Sequence, residues 1–489
     1  MDTAIQSATM PRNEDQKNNG DPELFSELAA VLSGYASART TGKVVEHLDY
    51  AALKSKLKAL DIQVGSQSWD SIWTTVHAYL GNSVKTAHPQ YFNQLWAGQS
   101  EPALVGSIIE AIANTSMYTY EVAPVATIVE NEMLGVFKRI FGFESGDAQV
   151  TSGGSNSNYV ALLLALHRKF PDLKQSGLYG LPKCAVFVSS EAHYSMDKAS
   201  VMSGIGLDSL YKIPTDDRGV MRTDELQKQI QACIDEGRVP VSIIGTAGTT
   251  VRGVFDDFES LAKIAKTYDC WLHVDGAWGG AVAFSSEQRR FLQGFDKADS
   301  MTWDAHKMLG VPLMCGVLFT RDTGGFDQVC NLGDTSYIFH DSEDRQDLGP
   351  YSLQCGRRVD MLKMWLEYIY YGQEGLEARI DHFMHLSAIA EKRIKAEPSL
   401  ELQTERWINN ICFRSTVCED GDLNSFNKAV RQRLYTTGSS FVNIAYLNDD
   451  LTIRLIITNK DVTETDIHKF FDLWLAAAAE TNKEMMQCA

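Results

Sequence analysis

Several patterns that would assign a class at once are missing from this chain. Nine cysteines are scattered through 489 residues, none in a C-x-x-C pair and none in a His/Cys cluster with zinc spacing. Neither a disulfide framework nor a bound metal is expected, and the odd count suits a reducing compartment. Positive charge is in the minority: 45 Lys and Arg against 63 Asp and Glu leave a formal net charge of −18. That argues against non-specific binding to nucleic acid or to an anionic membrane surface. Long hydrophobic runs are lacking too, since "YVALLLAL" (Tyr159–Leu166) is too short to span a bilayer. The first residues, "MDTAIQSATMPRNEDQKNNGDPE", hold no basic stretch followed by an apolar core, so they do not read as a signal peptide. A soluble, cytoplasmic protein is expected.

What is present is ordinary globular material, 44% hydrophobic and 22% charged, long enough for two or three domains. Residues 1–22 are polar and expected to be disordered. Residues 23–100 are mostly helical in pattern and read as an arm that packs on something else. From about 101 to 358 short apolar strands alternate with amphipathic helices. The strands are expected at Cys184–Ser190, Val241–Thr250, Trp271–Asp275, Ser300–Asp304 and Gly316–Thr320. In "DDFESLAKIAKTYD" Phe258, Leu261, Ala262, Ile264, Ala265 and Tyr268 share one helical face, with Asp256 and Glu259 as a capping-box-like start. This alternation predicts an α/β fold with a mainly parallel sheet covered on both faces. Residues 359–489 read as a smaller α+β domain. In such sheets ligands bind at the carboxyl ends of the strands.

Four features fall at those ends. A Gly-rich turn, Gly153, Gly154 and Ser155, opens into the apolar helix "YVALLLAL". Helix N–H groups and the dipole there suit a phosphate, although a plain Ser/Asn-capped buried helix would look the same. His193 follows the strand Cys184–Ser190, a place where a structural histidine is also common. Asp275 ends an apolar strand and is followed by Gly276 and Ala277. A buried carboxylate needs a partner, and small residues leave room for a flat ring. His306 and Lys307 follow the strand Ser300–Asp304, one crossover beyond Asp275.

Together these are the parts that pyridoxal 5′-phosphate requires. The helix start at Ser155 suits its phosphate, Asp275 its pyridine nitrogen, His193 its ring face, and Lys307 its aldehyde, captured as a Schiff base.

The segments "HPQYFNQLWAG", "NTSMYTYEVAPV", "TSGGSNSN", "SEAHYS", "TAGTTVRGVFD", "LHVDGAWGG", "TWDAHKMLG" and "LQCGRRVD" carry a family resemblance from about His88 to Asp360. The chain resembles the group II pyridoxal-phosphate decarboxylases, in the glutamate, cysteine sulfinate and aspartate decarboxylase branch. The resemblance implies fold type I, with a seven-stranded-type sheet in residues 101–358 as the cofactor-binding domain. It implies a homodimer with residues 23–100 as a dimerisation segment and the active site at the dimer interface. It also implies roles: Lys307 as the Schiff-base lysine, with His306 beside it near the phosphate; Asp275 on the pyridine nitrogen; Ala277 beneath the ring; His193 above it; Gly154, Ser155 and Thr249 around the cofactor; and Tyr337, in "TSYIFHD", on a mobile loop as the proton donor to the carbanion.

Two departures stand out. Gly276 replaces the first alanine of the usual Val-Asp-Ala-Ala-Trp, and Asp304 stands where many members have Asn. An acid beside a phosphate repels it, so Asp304 is expected to point elsewhere.

For the substrate, the resemblance assigns Arg357 to the distal acid, which its planar fork suits, and places Gln94 and Trp96 in the pocket. The bulk of Trp96 shortens that pocket and favours aspartate or cysteine sulfinate over glutamate. Other readings on the same cofactor are a decarboxylase of another amino acid, an aminotransferase or an oxidative aldehyde synthase, against which Tyr337 speaks. A non-enzymatic cofactor-binding protein would be marked by loss of Lys307 or Arg357, and both are present.

Overall fold

The computed structural model describes residues 22–57, 68–331, 333, 335–339, 346–418 and 421–488. The expected disordered tail therefore lies outside the described residues, apart from residue 22.

Among the described residues twelve strands form two sheets. The larger contains β2 (Asp147–Thr151), β3 (Cys184–Ser189), β4 (Leu210–Ile213), β5 (Val239–Thr246), β6 (Trp271–Asp275), β7 (Ser300–Asp304) and β8 (Gly316–Thr320). Their order is β2-β8-β7-β6-β5-β3-β4. All neighbours pair in parallel except β8, which runs antiparallel to both β2 and β7. The segment joining β7 to β8 is too short for a helical crossover, so β8 turns straight back, with Asp304 opposite Gly316. That turn leaves His306 and Lys307 at the carboxyl edge of the sheet.

The apolar strands have two covered faces, and alternate residues serve different cores. Val186 and Val188 of β3 pack in one core with Val160, Leu164 and Leu166 of the helix Gly154–Lys169. Ala185 and Phe187 face the other core, with the helices Thr223–Asp235 and Phe258–Thr267. In that second core Trp303 of β7 is fully buried. Its ring meets Phe137 at 5.1 Å, Phe141 at 5.2 Å and Phe284 at 5.3 Å between centroids. Each such side chain contributes roughly 1.5–3 kcal/mol by leaving water, so this cluster anchors the strand that carries the site.

The helix Phe258–Thr267 is capped by Asp257, which accepts from Ser260 N at 3.1 Å. The expected cap, Asp256, is instead buried and accepts from Met221 N and Thr246 N, each at 2.8 Å. Burial lifts its carboxyl to about 6. The chain uses the second acid of the pair because the first is drawn into the sheet.

The smaller sheet contains β1 (Tyr91–Phe92), β9 (Leu400–Leu402), β10 (Asn410–Ser415), β11 (Phe441–Leu447) and β12 (Asp450–Ile456), in the order β1-β11-β12-β10-β9. β1 comes from the segment read as a helical arm, yet it pairs in parallel with β11, Tyr91 opposite Phe441. Ahead of it the helices Pro22–Ala38, Tyr50–Lys56 and Trp69–Asn82 expose Phe25, Leu32, Trp69, Ile72 and Tyr79. The helix Asp360–Ala396 links the two sheets and breaks at Gly372, whose φ of 62° is the left-handed region glycine accepts. Among the described residues no helix is long and apolar enough to cross a membrane, and no three His, Cys, Asp or Glu gather as metal ligands.

Candidate active site

The carboxyl ends of β5, β6 and β7 open into a cavity of about 480 Å³ that also reaches the smaller sheet. Gly154, Ser155, His193, Asp275, Ala277, His306 and Lys307 line it, with Gln94 and Trp96 across from them. Lys307 is partly buried, with Nζ 3.2 Å from Asp304 Oδ2. The amine therefore stands inside the cavity rather than on a solvated surface.

Asp275 receives Asn158 Nδ2 on Oδ2 at 2.8 Å and Ala277 N on Oδ1 at 3.2 Å. The two bonds fix the direction in which the carboxylate faces the cavity. His193 accepts Ser195 N on Nδ1 at 3.2 Å, so its proton sits on Nε2. Burial lowers its pKa, with Asp275 opposing, and the ring is neutral near pH 7. His306 is lowered for the same reason, burial, and its Nδ1 meets the backbone of Cys315.

The helix Gly154–Lys169 starts at the cavity wall, its N-cap Gly153 at a φ of 116°. A Cβ on Gly154 would lie 2.8 Å from the Ala277 Cβ and 3.0 Å from Asp304 Oδ2, so only glycine lets the turn approach this closely. Asp304 does not point elsewhere: its Oδ2 accepts Gly154 N at 3.1 Å. The carboxylate is tolerated because a helix N–H and Lys307 both face it.

Three expected residues are elsewhere. Thr249 is 2% exposed and does not line the cavity. Its Oγ1 accepts Val254 N at 3.1 Å and holds the turn after β5, while its neighbours Gly248 and Thr250 line the cavity instead. Arg357 is buried in a different cavity and forms a two-pronged pair with Glu130, Nη1 to Oε2 at 2.9 Å and Nη2 to Oε1 at 2.7 Å. Its charge is already answered, and drawing it away would strand the buried Glu130. It is therefore not placed to hold a substrate acid. Tyr337 is 79% exposed and does not reach the cavity of its own chain; residues 340–345 of its segment lie outside the described residues.

The arginine that lines this cavity is Arg454, on β12. It is 6% exposed, donates to Thr250 O at 3.2 Å and to Asn93 O at 3.0 Å, and its buried Nε has no partner. Among the described residues no carboxylate pairs with it. An arginine inside the apolar run "LTIRLII" was the signal for it, as a polar Asn in the first turn of an apolar helix was for Asn158. Asn443, opposite Arg454 in the sheet register, also faces the cavity.

This donor set fits pyridoxal 5′-phosphate: a helix start pared to glycine for an anion, an oriented carboxylate for a ring nitrogen, a neutral imidazole, and an amine within the cavity. The comparisons agree. The family described as "Pyridoxal-dependent decarboxylase conserved domain" matches residues 52–416. The chain is similar to cysteine sulfinic acid decarboxylase of Rattus norvegicus, 40% identical over 405 residues, covering 81% of this chain and 82% of the relative. It is also similar to acidic amino acid decarboxylase GADL1 of Xenopus tropicalis, 37% identical over 382 residues, covering 78% and 75%. The crystal structure of mouse CSAD in apo form superposes with a TM-score of 0.89 at 34% identity, covering 93% of this chain and 98% of that one. With the family pattern matched over most of the chain and its cavity equipped for the cofactor, the protein belongs to the pyridoxal-dependent decarboxylase family and is an amino-acid decarboxylase.

Proposed function

We propose that the substrate is a short acidic L-amino acid, aspartate or cysteine sulfinate ahead of glutamate, converted to its amine and CO₂. The observation that carries this is Arg454, a buried guanidinium without a carboxylate partner among the described residues, in the same cavity as Lys307. Burial lowers its pKa, yet a guanidinium stays protonated, so the cavity holds a charge that an acidic side chain would complete. The names of the curated relatives point the same way.

Bound pyridoxal 5′-phosphate supplies an aldehyde for the substrate amine and a ring that accepts the electron pair left as CO₂ departs. Lys307 offers the amine that holds the cofactor in the resting enzyme. With the cofactor bound, Asp275 would hold a proton at the pyridine nitrogen, and neutral His193 would cover the ring. Arg454 grips the distal acid, and Trp96 limits how far that acid can sit from Cα. Fixing that end orients the bond to the α-carboxylate across the ring plane, where it must lie to break. One proton then replaces the carboxylate on Cα.

Tyr337 suits that delivery only from another copy of the chain, so the proposal includes a homodimer. Val105, Ile109 and Ile112 on the helix Glu101–Ala113, with Val125 and Ile128 on the helix Pro124–Ile140, are exposed apolar residues that a second copy would cover. The test is to incubate cofactor-loaded protein with aspartate, cysteine sulfinate and glutamate, and to follow CO₂ and amine, with Lys307→Ala as the blank. Turnover of a short acid supports the proposal. Faster turnover of glutamate, or of an uncharged amino acid, overturns the substrate assignment.

A further inference from the structure

A carboxylate already occupies the place where the cofactor's phosphate is expected. Asp304 is 1% exposed. Its Oδ2 takes Gly154 N at 3.1 Å, lies 3.2 Å from Lys307 Nζ, and lies 3.7 Å from His306 Nε2. Its Oδ1 is buried with no hydrogen-bond partner. That oxygen is boxed in, since a Cβ on Gly316 would stand 2.7 Å from it and water has little room.

The charges around Asp304 do not balance once an anion enters. Lys307 is the cation that faces it. His306 beside it and His193 across the cavity are both held neutral by burial. The Cys315 thiol, at the start of the β8 turn, is pushed up to about 12 and is uncharged. Lys363 pairs with Asp360 at 2.6 Å, and Arg357 pairs with Glu130. With the cofactor bound, Asp275 would be answered by the protonated ring nitrogen. With Arg454 on the smaller-sheet side of the cavity assigned above to the substrate acid, Lys307 is the cation left beside Asp304 to offset both its carboxylate and a phosphate dianion, and an unpaired buried carboxylate oxygen is costly.

We propose that Asp304 takes up one proton from solvent when the phosphate-bearing cofactor binds, so that a neutral acid rather than a second anion stands beside the phosphate. Asp304 is then a cofactor-positioning residue whose protonation couples cofactor retention to pH. This rests on the pyridoxal 5′-phosphate reading of the cavity.

The test uses the full-length cofactor-free protein and 4-deoxypyridoxine 5′-phosphate, which lacks the aldehyde and so forms no covalent bond to Lys307. Calorimetric titration at about pH 8, where a phosphate monoester is a dianion, in two buffers of different ionisation enthalpy counts the protons taken up. Wild type is expected to take up about one proton more than Asp304→Asn. Its affinity should fall about tenfold per pH unit from about pH 7 to about pH 9, and the variant's should fall less steeply. The variant should also bind more tightly at the alkaline end, because the amide keeps an oxygen for Gly154 N and adds a donor.

Equal proton uptake in the two proteins would overturn the proposal. So would a wild-type affinity that does not fall over that range, which needs no variant to measure. Binding of the analogue without extra proton uptake leaves the cofactor reading intact and sinks only the role of Asp304. Failure of the analogue to bind at all overturns both.

Discussion

Asn158 holds Asp275 through one amide N–H, 2.8 Å from Oδ2, and the rest of its hydrogen bonds decide the direction of a buried chain behind the site. The second amide hydrogen goes to Ser195 Oγ at 2.9 Å. The amide oxygen must then accept from His273 Nε2, 3.0 Å away. Burial pulls His273 down to about 4, so it is neutral, and Nδ1 accepts the Ser300 hydroxyl proton at 2.8 Å. Ser300 Oγ in turn accepts Trp271 Nε1 at 2.7 Å. From Trp271 through Ser300, His273 and Asn158 the donors run toward Asp275, so the chain holds in place the carboxylate proposed to meet the cofactor's ring nitrogen.

Cutting that chain should weaken catalysis without emptying the substrate site. Asn158→Ala strands the His273 donor and leaves the Ser195 hydroxyl oxygen without the proton it accepts, at about 1–3 kcal/mol. We expect a lower melting temperature and a kcat reduced about tenfold or more, with KM little changed. Steady-state kinetics at saturating cofactor check this; an unchanged kcat would show that Asp275 needs no such support.

The two arginines should fail in different ways. Arg454→Met should cut kcat/KM for an acidic substrate by about tenfold to a hundredfold, the worth of a hydrogen bond between charged groups, with stability nearly kept. Arg357→Met leaves Glu130 buried and unpaired at a cost of about 3–5 kcal/mol. Thermal melts alongside kinetics separate the cases, and adding Glu130→Gln should restore much of the stability lost with Arg357.

Trp96→Ser should lengthen the cavity. Glutamate is one methylene longer than aspartate, and a methylene in a pocket is worth about 1–3 kcal/mol of discrimination. The ratio of kcat/KM for glutamate over aspartate is expected to rise about tenfold in competition assays. No change in the ratio would mean that the indole does not set the length.

Stability should rise as pH climbs from about 6 to 7.5. His273 has a folded pKa of about 4 against an ordinary value of 6.5. The unfolded chain therefore binds the proton first as pH falls, and stability is lost from about 6.5 down to about 4, by an amount on the order of 3 kcal/mol. Asp256 acts with the opposite sign: raised from 3.8 to about 6, it costs stability as pH rises between those values and offsets His273 there. Above about pH 6 the buried histidines act together, since burial lowers His193 and His306 as well as His273. Denaturant unfolding of cofactor-free protein at about pH 6 and 7.5 should show the slope, and His273→Gln should make it shallower.

The chemistry of the cofactor half of the site was legible in the order of residues. "WLHVD" and "SMTWD" are apolar runs whose length ends each strand at an aspartate, and parallel pairing puts such ends at one edge. Asp275 and Lys307 therefore had to face one crevice. The substrate half was not legible, because it depends on which distant elements pack. Arg357 meets Glu130 across 227 positions, and a buried guanidinium settles with the carboxylate that packing brings to it. Arg454 reaches the cavity because β1 joins the smaller sheet beside β11 and carries Asn93, Gln94 and Trp96 with it. Local pattern determined where each strand ends and hence where Lys307 and Asp275 stand. Only tertiary packing decided which arginine is neutralised by a carboxylate and which stands in the cavity without one.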